Sequence, residues 1–266
     1  MADVELPETL ARDAALLTEA VREAGLLAKS MFRTELKNWI KGKSSPVSEA
    51  DIAVNDLLEA RLRGASPGYG WLSEESADDD TRLGRKYTWI VDPIDGTRAY
   101  LAGNNDWCVS VALVEDSAPV LGAVYAPVSD EFFFAARGQG ARLNDASVTA
   151  NSGDDFDFSR MAGPKPLVQR LSTGEISLHP RIGSLALRLC RVAHGGLDAA
   201  FAGGQSRDWD LAAANLIVQE ANGRMTALSG DAILYNRRDV VHGVLVAAGR
   251  DRHARIVGHF SDSPLP

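Results

Sequence analysis

The sequence lacks the features of several protein classes. Its two cysteines, Cys108 and Cys190, have no second cysteine or histidine at metal-ligand spacing, which argues against a disulfide framework and a structural zinc site. We therefore expect two buried thiols. Basic residues are in deficit, with 28 Lys and Arg against 36 Asp and Glu. This balance disfavours binding to a nucleic-acid polymer or to an anionic membrane.

Long apolar segments are also missing. No run approaches the roughly 20 residues of a membrane-spanning helix, and residues 1–8 lack the basic start and apolar stretch of a signal peptide. We therefore expect a cytoplasmic protein.

Apolar residues make up 45% and charged residues 24% of the chain, a mixture typical of folded domains. The length of 266 residues corresponds to one large domain or two closely packed halves.

Hydrophobic periodicity predicts helices at both ends and strands in the middle. Apolar residues recur every three or four positions over residues 8–34, which predicts an amphipathic helix. Ser48 and Asp51 have the form of a capping box, which predicts a second helix over residues 48–64. Four short β-branched and aromatic segments predict strands, mostly joined by hairpins, at residues 87–91, 107–114, 120–125 and 131–135.

The second half of the sequence alternates between helix and strand patterns, as in α/β proteins. Helices are predicted at residues 184–194, 209–221 and 251–259, and strands near residues 197–201 and 244–248. We predict that His253 and His259 lie on a surface helix, and that the acidic run 78–80 is a solvated loop.

The most informative motif is an apolar strand that ends on two carboxylates, Asp92 and Asp95. Pro93 restricts the backbone on both sides of it, which predicts an extended strand end followed by a turn. The two carboxylates can then converge on one point, with the carbonyl of Ile94 facing it. Such hard oxygen ligands suit Mg²⁺.

Residues around this motif extend the candidate site. Gly96 permits close approach to the backbone, and a helix that starts at Thr97 would offer N–H groups to a phosphate oxygen. Glu74 also follows an apolar segment, and Asp210 opens a predicted helix, where the dipole favours negative charge. Together these acidic positions predict one metal-binding site.

Five segments closely resemble, in order and spacing, the motifs of the inositol monophosphatase superfamily of Mg²⁺-dependent, lithium-sensitive phosphatases. They are residues 43–51, 73–76, 89–97, 209–213 and 220–223. The resemblance covers about residues 10–250. It implies a layered αβαβα sandwich of mixed α+β and α/β class. Residues 1–147 would form an α+β half with an antiparallel sheet and most metal ligands, and residues 148–266 an α/β half.

The resemblance also implies roles for individual residues and a cofactor of two or three Mg²⁺ ions. The implied metal ligands are Glu74, Asp92, the Ile94 carbonyl, Asp95 and Asp210. The implied catalytic residues are Glu74 together with Asp51 and Thr97, the pair that would orient and deprotonate the attacking water. The implied substrate contacts are Asp95, Gly96, Thr97, Gly183, Ser184 and Asp210, with Lys43 close to the metals. Water would attack the phosphate in line, without a protein nucleophile.

The substrate is expected to be a small phosphorylated molecule. Inositol-specific members carry an acidic residue seven positions before the last metal ligand, where this chain has Gly203. The motifs look more like the 3'(2'),5'-bisphosphate nucleotidase branch, whose second phosphate would need a cationic contact. Candidates for that contact are Arg98, Lys165, Arg181 and Arg188. Inositol 1-phosphate and histidinol phosphate are the alternative substrates.

Two readings from other classes are open to test. Haloacid-dehalogenase phosphatases have one residue between their two aspartates, whereas Asp92 and Asp95 are separated by two. This spacing disfavours an aspartyl-phosphate intermediate. A non-enzymatic interaction module with a structural metal cluster is the second reading. The family resemblance also suggests a homodimer.

Overall fold

A computed structural model of the protein describes residues 6–42 and 45–263. Over these residues the helices are α1 (Glu8–Met31), α2 (Glu49–Leu58), α3 (Thr97–Leu101), α4 (Lys165–Val168), α5 (Leu185–Ala193), α6 (Asp208–Glu220) and α7 (Arg250–Asp262). The strands are β1 (Asn38–Lys41), β2 (Ser45–Ser48), β3 (Gly70–Ser73), β4 (Tyr87–Asp95), β5 (Cys108–Glu115), β6 (Ala118–Ala126), β7 (Glu131–Ala136), β8 (Ala141–Leu143), β9 (Ala146–Val148), β10 (Met161–Ala162), β11 (Ala199–Arg207), β12 (Gly223–Ala227) and β13 (Val241–Gly249).

The two N-terminal helices form where periodicity and capping predict them. The buried face of α1 includes Leu17, Val21, Ala24 and Ala28, which are spaced by three or four residues. Helix α2 starts directly after Ser48 and continues as a π-helical turn over Glu59–Arg63. The capping box is confirmed, because Asp51 Oδ2 accepts hydrogen bonds from the Ser48 N–H (2.8 Å) and hydroxyl (2.6 Å).

The larger sheet joins seven strands in the order β3-β4-β5-β6-β7-β8-β9. The four predicted strands are present as β4 to β7. Neighbouring strands are antiparallel except for β3 and β4, which run parallel at one edge. A parallel pair needs a long crossover connection, which residues 74–86 provide.

Strand β4 departs from the prediction at its end. The strand runs through Pro93 to Asp95 and is followed by a turn at Gly96, but its register to β5 shifts between Asp92 and Asp95. Proline has no N–H to give to the sheet and is tolerated at such irregularities. The predicted strand end followed by a turn is therefore present, and the bulge between the two aspartates is the part that was not predicted.

The smaller sheet has four strands in the order β10-β11-β13-β12. The strands expected near residues 197–201 and 244–248 are present as β11 and β13, whereas β10 and β12 were not predicted. Only β10 and β11 pair in parallel, so this alternating segment builds a mostly antiparallel sheet. Strand β12 lacks a sequence signal, because its segment GRMTA has few β-branched or aromatic residues.

Three apolar clusters stack these elements into layers. One cluster packs α1 and α2 against one face of the larger sheet. A second joins the opposite face to α5, α6 and the smaller sheet, and a third packs the far face of the smaller sheet against α7. A Cβ at Gly122 on β6 would lie 2.9 Å from the carbonyl oxygen of Ala213 on α6, so glycine permits this close approach. The predicted layered αβαβα sandwich is confirmed.

The cysteines, the apolar segments and the acidic run 78–80 can also be compared with the predictions. Both cysteines are free and buried, as predicted. The described residues contain no helix long and apolar enough to cross a bilayer. The acidic run is more than a solvated loop, because the Asp78 carboxylate accepts two hydrogen bonds, of 2.7 and 2.8 Å, from the buried guanidinium of Arg82.

His253 is buried, so the prediction that it lies on a surface helix was wrong. It shares one face of α7 with the buried residues Ile256 and Phe260. Its Nε2 lies 2.9 Å from the Thr226 hydroxyl oxygen. Burial, helped by the positive charge of Arg224, lowers the pKa of His253 to about 4. The imidazole of His253 is therefore neutral in the folded protein at pH 7.

This depressed pKa predicts that stability falls in mild acid. An unfolded histidine has a pKa near 6.5 and takes up a proton that the folded state resists. The contribution of His253 to stability is complete above about pH 6.5 and is lost as the pH falls toward 4. Urea unfolding at pH 7.5, 6.5, 5.5 and 5.0 should show a smaller decline for His253→Gln than for the parent. Equal declines in both proteins would contradict this assignment.

Candidate active site

The bulge in β4 brings Asp92 and Asp95 to the same side of the strand. In a regular strand, residues three apart point to opposite faces. The register shift between Asp92 and Asp95 absorbs one position, as a bulge does. Both residues are buried. Because of this bulge, two aspartates separated by two residues can point to the same side of β4.

Asp210 joins these two carboxylates from a different layer. It lies in the first turn of α6, and its Oδ2 accepts a hydrogen bond of 2.7 Å from the Arg207 N–H. One carboxylate oxygen each from Asp92, Asp95 and Asp210 lie within 4.8 Å of one another. The fold therefore assembles this group from the larger sheet and from the helix layer between the sheets.

The chemistry of this group fits a divalent cation. Asp92 Oδ1 is buried and has no hydrogen-bond partner among the described atoms. Burial raises the pKa of Asp92 well above its usual range, and the Glu74, Asp95 and Asp210 carboxylates raise it further. Burial and Asp95 likewise raise the pKa of Asp210. A cation held by oxygen ligands would remove this repulsion, and Mg²⁺ prefers such ligands.

Glu74 lines the same cavity as these carboxylates but lies outside the group of three. It follows β3, and its N–H donates to the Val91 carbonyl over 3.1 Å. Burial raises the pKa of Glu74 to about 7, the Glu75 carboxylate adds to the increase, and Lys41 opposes it. The carbonyl of Ile94, the other predicted ligand, belongs to the same cavity lining.

Thr97 and Asp51, the predicted pair for water activation, are in contact. The Thr97 Oγ1 lies 3.0 Å from Asp51 Oδ1 and 3.0 Å from the Ile94 carbonyl oxygen. A hydroxyl has one proton, so it donates to one of these acceptors at a time. The other oxygen of Asp51 accepts the two capping-box hydrogen bonds from Ser48. Helix α2 thus fixes the carboxylate that Thr97 contacts.

Ser184, one of the predicted substrate contacts, makes its hydrogen bonds within the protein. Its side chain is fully buried, its hydroxyl donates to Asp95 Oδ2 over 2.6 Å, and it accepts the Leu187 N–H over 2.9 Å. The Ala186 N–H also donates to Asp95 Oδ2, over 2.5 Å. Ser184 therefore caps α5 and holds Asp95, and its hydroxyl has no remaining proton to offer a substrate.

Two glycines of the cavity lining, Gly96 and Gly183, lie close to neighbouring residues. Gly96 has a positive φ of 95°, and a Cβ there would lie 3.1 Å from the Ser184 nitrogen. A Cβ at Gly183 would lie 2.5 Å from that of Ala99. The Gly183 N–H donates to the Asp106 carboxylate, so this N–H is not free for the expected substrate contact. Asp106 was not predicted, because nothing distinguishes it from the polar turn Asn104–Asn105 before it.

Lys43 lies outside the described residues. Instead Lys41, which was not predicted, reaches the acidic loop after β3. Its Nζ donates to the Glu74 carbonyl oxygen and lies 3.0 Å from Glu75 Oε2. The basic residues of the loop at 41–43 look alike in sequence, so spacing alone does not identify which of them makes this contact.

The carboxylates open into a cavity of about 530 Å³. Arg98 and Arg181 are part of its lining. Arg181 also lines a neighbouring cavity of about 370 Å³ together with Arg188, whose Nε is buried without a hydrogen-bond partner among the described atoms. Burial lowers the pKa of Arg188. Lys165 is exposed on α4 and lines neither of these cavities.

Gly203 lies beside the neighbouring cavity. It is exposed at an irregularity of β11. A Cβ at this position would lie 3.0 Å from Cγ of Pro164, and Pro164 lines the cavity that contains Arg188. A side chain at position 203 would therefore contact Pro164, which lines this cavity.

A layered α/β fold around a buried group of carboxylates defines a class of metal-dependent phosphatases. The family model described as "Inositol monophosphatase family" matches residues 10–265. The protein belongs to this family, whose members hydrolyse phosphate monoesters of small molecules and typically use Mg²⁺. The predicted family and the predicted class of enzyme are both confirmed.

Individual relatives agree with this assignment. Histidinol-phosphatase of Mycobacterium tuberculosis is 37% identical over 211 residues, which cover 74% of this chain and 80% of that protein. Inositol-1-monophosphatase of Mesorhizobium japonicum is 33% identical over 245 residues, which cover 86% and 91% of the two chains. The crystal structure of the extragenic suppressor protein suhB from Bartonella henselae superposes with a TM-score of 0.81 at 27% identity, covering 94% and 98% of the two chains.

Removing one carboxylate charge should abolish turnover. In Asp92→Asn the buried side chain keeps its size but loses the charge that a cation needs. We expect kcat to fall by orders of magnitude with the fold retained, as judged by circular dichroism and thermal melting. The control is Asp145→Asn, an exposed aspartate with a positive φ of 67° that Asn tolerates. Near-normal turnover in Asp92→Asn would remove Asp92 from the site.

The role of Ser184 is tested by Ser184→Ala. Loss of the helix cap and of the hydrogen bond to Asp95 should lower the free energy of unfolding by about 2 kcal/mol. At saturating Mg²⁺ the KM for substrate should stay within about twofold of the parent, because no substrate contact is lost. The exposed Ser229→Ala serves as control. A large increase in KM without loss of stability would instead identify Ser184 as a substrate contact.

Proposed function

We propose that this phosphatase acts on small phosphomonoesters that carry a second anionic group, and that its substrate is a 3'(2'),5'-bisphosphate nucleotide. The observation that supports this proposal most strongly is the position of Arg98 and Arg181 in the same cavity as the carboxylates. Guanidinium groups bind phosphate oxygens through paired N–H donors. A substrate with one phosphate at the carboxylates could thus reach a cation with its other phosphate.

The neighbouring cavity supports the same substrate. Its lining includes Arg181, Arg188 and His179 and contains no carboxylate. Gly203 leaves this region without the acidic side chain that the inositol-specific members place seven residues before their last metal ligand. Hydroxyl groups of an inositol ring would therefore lack that acceptor. An anion in this cavity would instead meet the guanidinium-bearing residues Arg181 and Arg188.

The proposed reaction uses two or three Mg²⁺ ions held by Glu74, Asp92, the Ile94 carbonyl, Asp95 and Asp210. When bound, these ions supply positive charge that neutralises phosphate oxygens and makes water more acidic. The chain itself would hold and deprotonate the water through Thr97. The Thr97 oxygen accepts a water proton as its own proton moves to Asp51 Oδ1, 3.0 Å away.

The environment of Asp51 suits the role of a base. Burial raises the pKa of Asp51, and the hydrogen bonds from Ser48 and Thr97 oppose this increase. A raised pKa makes a carboxylate a better proton acceptor. The water oxygen then forms a bond to phosphorus as the ester P–O bond breaks, and the alcohol leaves on the opposite side. No phosphoenzyme would form, so a trapped aspartyl phosphate would contradict this scheme.

Two other substrates are favoured by relatives. Histidinol phosphate is favoured by the 37% identical histidinol-phosphatase, and inositol 1-phosphate by the 33% identical inositol-1-monophosphatase. Histidinol carries an amine and an imidazole, neither of which offers Arg98 or Arg181 an anionic partner. We therefore rank histidinol phosphate behind the bisphosphate nucleotide because of these arginines, and inositol 1-phosphate because of Gly203.

Phosphate release in Mg²⁺ distinguishes these substrates. The panel comprises 3'-phosphoadenosine 5'-phosphate, inositol 1-phosphate and histidinol phosphate, each with and without lithium. We expect the nucleotide to be preferred about 100-fold in kcat/KM, which corresponds to about 2.7 kcal/mol, and lithium to inhibit. A similar preference for either other substrate would replace our proposal. Absence of turnover on a broad panel would favour the interaction module.

Arginine variants test the second-phosphate contact. Arg181→Ala and Arg188→Met should each lower kcat/KM for 3'-phosphoadenosine 5'-phosphate by about 10- to 100-fold if that arginine binds the second phosphate. Adenosine 3'-phosphate, which lacks this group, should be affected far less. Lys165→Ala, a lysine that lines neither cavity, is the control. Equal losses on both nucleotides in both arginine variants would contradict the assignment.

A further inference from the structure

The three grouped carboxylates belong to elements that do not pair with each other. Asp92 and Asp95 lie on β4 of the larger sheet, whereas Asp210 lies on α6 in the helix layer between the sheets. Mg²⁺ accepts little deviation from octahedral geometry, with ligand distances near 2.0–2.1 Å. A site shared by two elements therefore needs something that fixes their separation.

Asn236 contacts both elements. It lies in the connection between β12 and β13 and has a left-handed backbone with a φ of 54°. Its N–H donates to Asp208 Oδ2 over 2.7 Å, and Asp208 is the first residue of α6. Its side-chain amide donates to the Thr88 hydroxyl oxygen on β4 over 3.0 Å. One residue thus joins the strand of Asp92 to the helix of Asp210.

Both ends of this link are buried and close to the metal-site carboxylates. Asp208 is fully buried and lies two residues before Asp210, and its other oxygen lies 2.6 Å from Nε2 of His242. Thr88 is fully buried and lies four residues before Asp92 on β4. Hydrogen bonds in such an interior are stronger than in water. A shift of Asn236 would therefore act on rigid segments next to the ligands.

The buried Arg82 fixes the orientation of the Asn236 side chain. Arg82 donates to Asn236 Oδ1 over 2.7 Å and to the Arg237 carbonyl over 3.0 Å. The same guanidinium makes its paired hydrogen bonds to Asp78. The orientation of the Asn236 amide is therefore fixed, with its oxygen toward Arg82 and its nitrogen toward Thr88.

We propose that Asn236 is a positioning residue that sets the separation between the Asp92–Asp95 pair and Asp210, and so tunes the affinity for the divalent cation that they share. The inference rests on the proposed metal-dependent reaction. Asn236 does not touch the substrate, and its effect passes through Thr88 on one side and Asp208 on the other. Outer residues that orient metal ligands typically change metal affinity by about 10- to 100-fold.

The test compares Asn236→Gly and Thr88→Val with the double variant. Glycine adopts the left-handed backbone and keeps the N–H donor to Asp208, so Asn236→Gly removes only the side-chain contacts, with Thr88 and with Arg82. Thr88→Val removes the acceptor on β4 at nearly constant volume. The control is Asn222→Gly, which replaces an exposed asparagine with a similar φ of 65° in the turn between α6 and β12.

Mg²⁺ binding to the substrate-free protein is measured by titration calorimetry, with thermal unfolding and kcat/KM beside it. We expect Asn236→Gly and Thr88→Val each to weaken Mg²⁺ binding by about tenfold, and the double variant to be no weaker than either single variant. The KM at saturating Mg²⁺ should hardly change. Asn222→Gly should bind Mg²⁺ like the parent.

Loss of thermal stability in folded variants that bind Mg²⁺ like the parent would overturn the proposal, since Asn236 would then support the loop alone. Additive losses in the double variant would also overturn it. Failure of the proposed function is distinguishable. A parent that binds Mg²⁺ but hydrolyses none of the substrates would refute that function, while weakened binding in the variants would still support the positioning role.

Discussion

The constraint on which this structure depends is the burial of several carboxylates at one point. Such groups repel one another and lose hydration, so they stay together only where other groups stabilise them. Asp95 is held by the Ser184 hydroxyl and the Ala186 N–H at the start of α5, Asp210 by the Arg207 N–H, and Asp51 by Ser48. The hydrogen bonds at the N-termini of α2, α5 and α6 thus stabilise these carboxylates as well as the helices.

This constraint also accounts for the layers. No single strand or helix can present these carboxylates to one point, so the chain supplies them from β4, from the loop after β3 and from α6. The close contact between Gly122 on β6 and Ala213 on α6 brings the middle helix layer against the sheet. Another part of the cavity lining comes from the segment before α5, which carries Arg181 and Gly183.

The sequence predicts those parts of the site whose signal is local. The Asp92–Asp95 pair and the capping box follow from motifs of a few residues, whereas the contact between Thr97 and Asp51, 46 residues apart, follows from the family resemblance. The fold class follows from periodicity and from the family resemblance. By contrast, the burial of His253 and the contact between Asn236 and Thr88 depend on partners 27 and 148 residues away. A helix cap and a substrate contact require the same residue type at the same place, so the sequence does not separate these two roles for Ser184.

The double attachment of Asp95 links the cavity to the interior. One carboxylate lines the cavity while its Oδ2 binds the first turn of α5. Whatever binds at the cavity face of Asp95 must therefore also change how tightly the amides of that turn are held. Cation binding by Asp95 and local opening of the first turn of α5 are therefore thermodynamically linked. Hydrogen exchange at the Ala186 amide would report whether a cation is bound, although this amide is not itself a ligand.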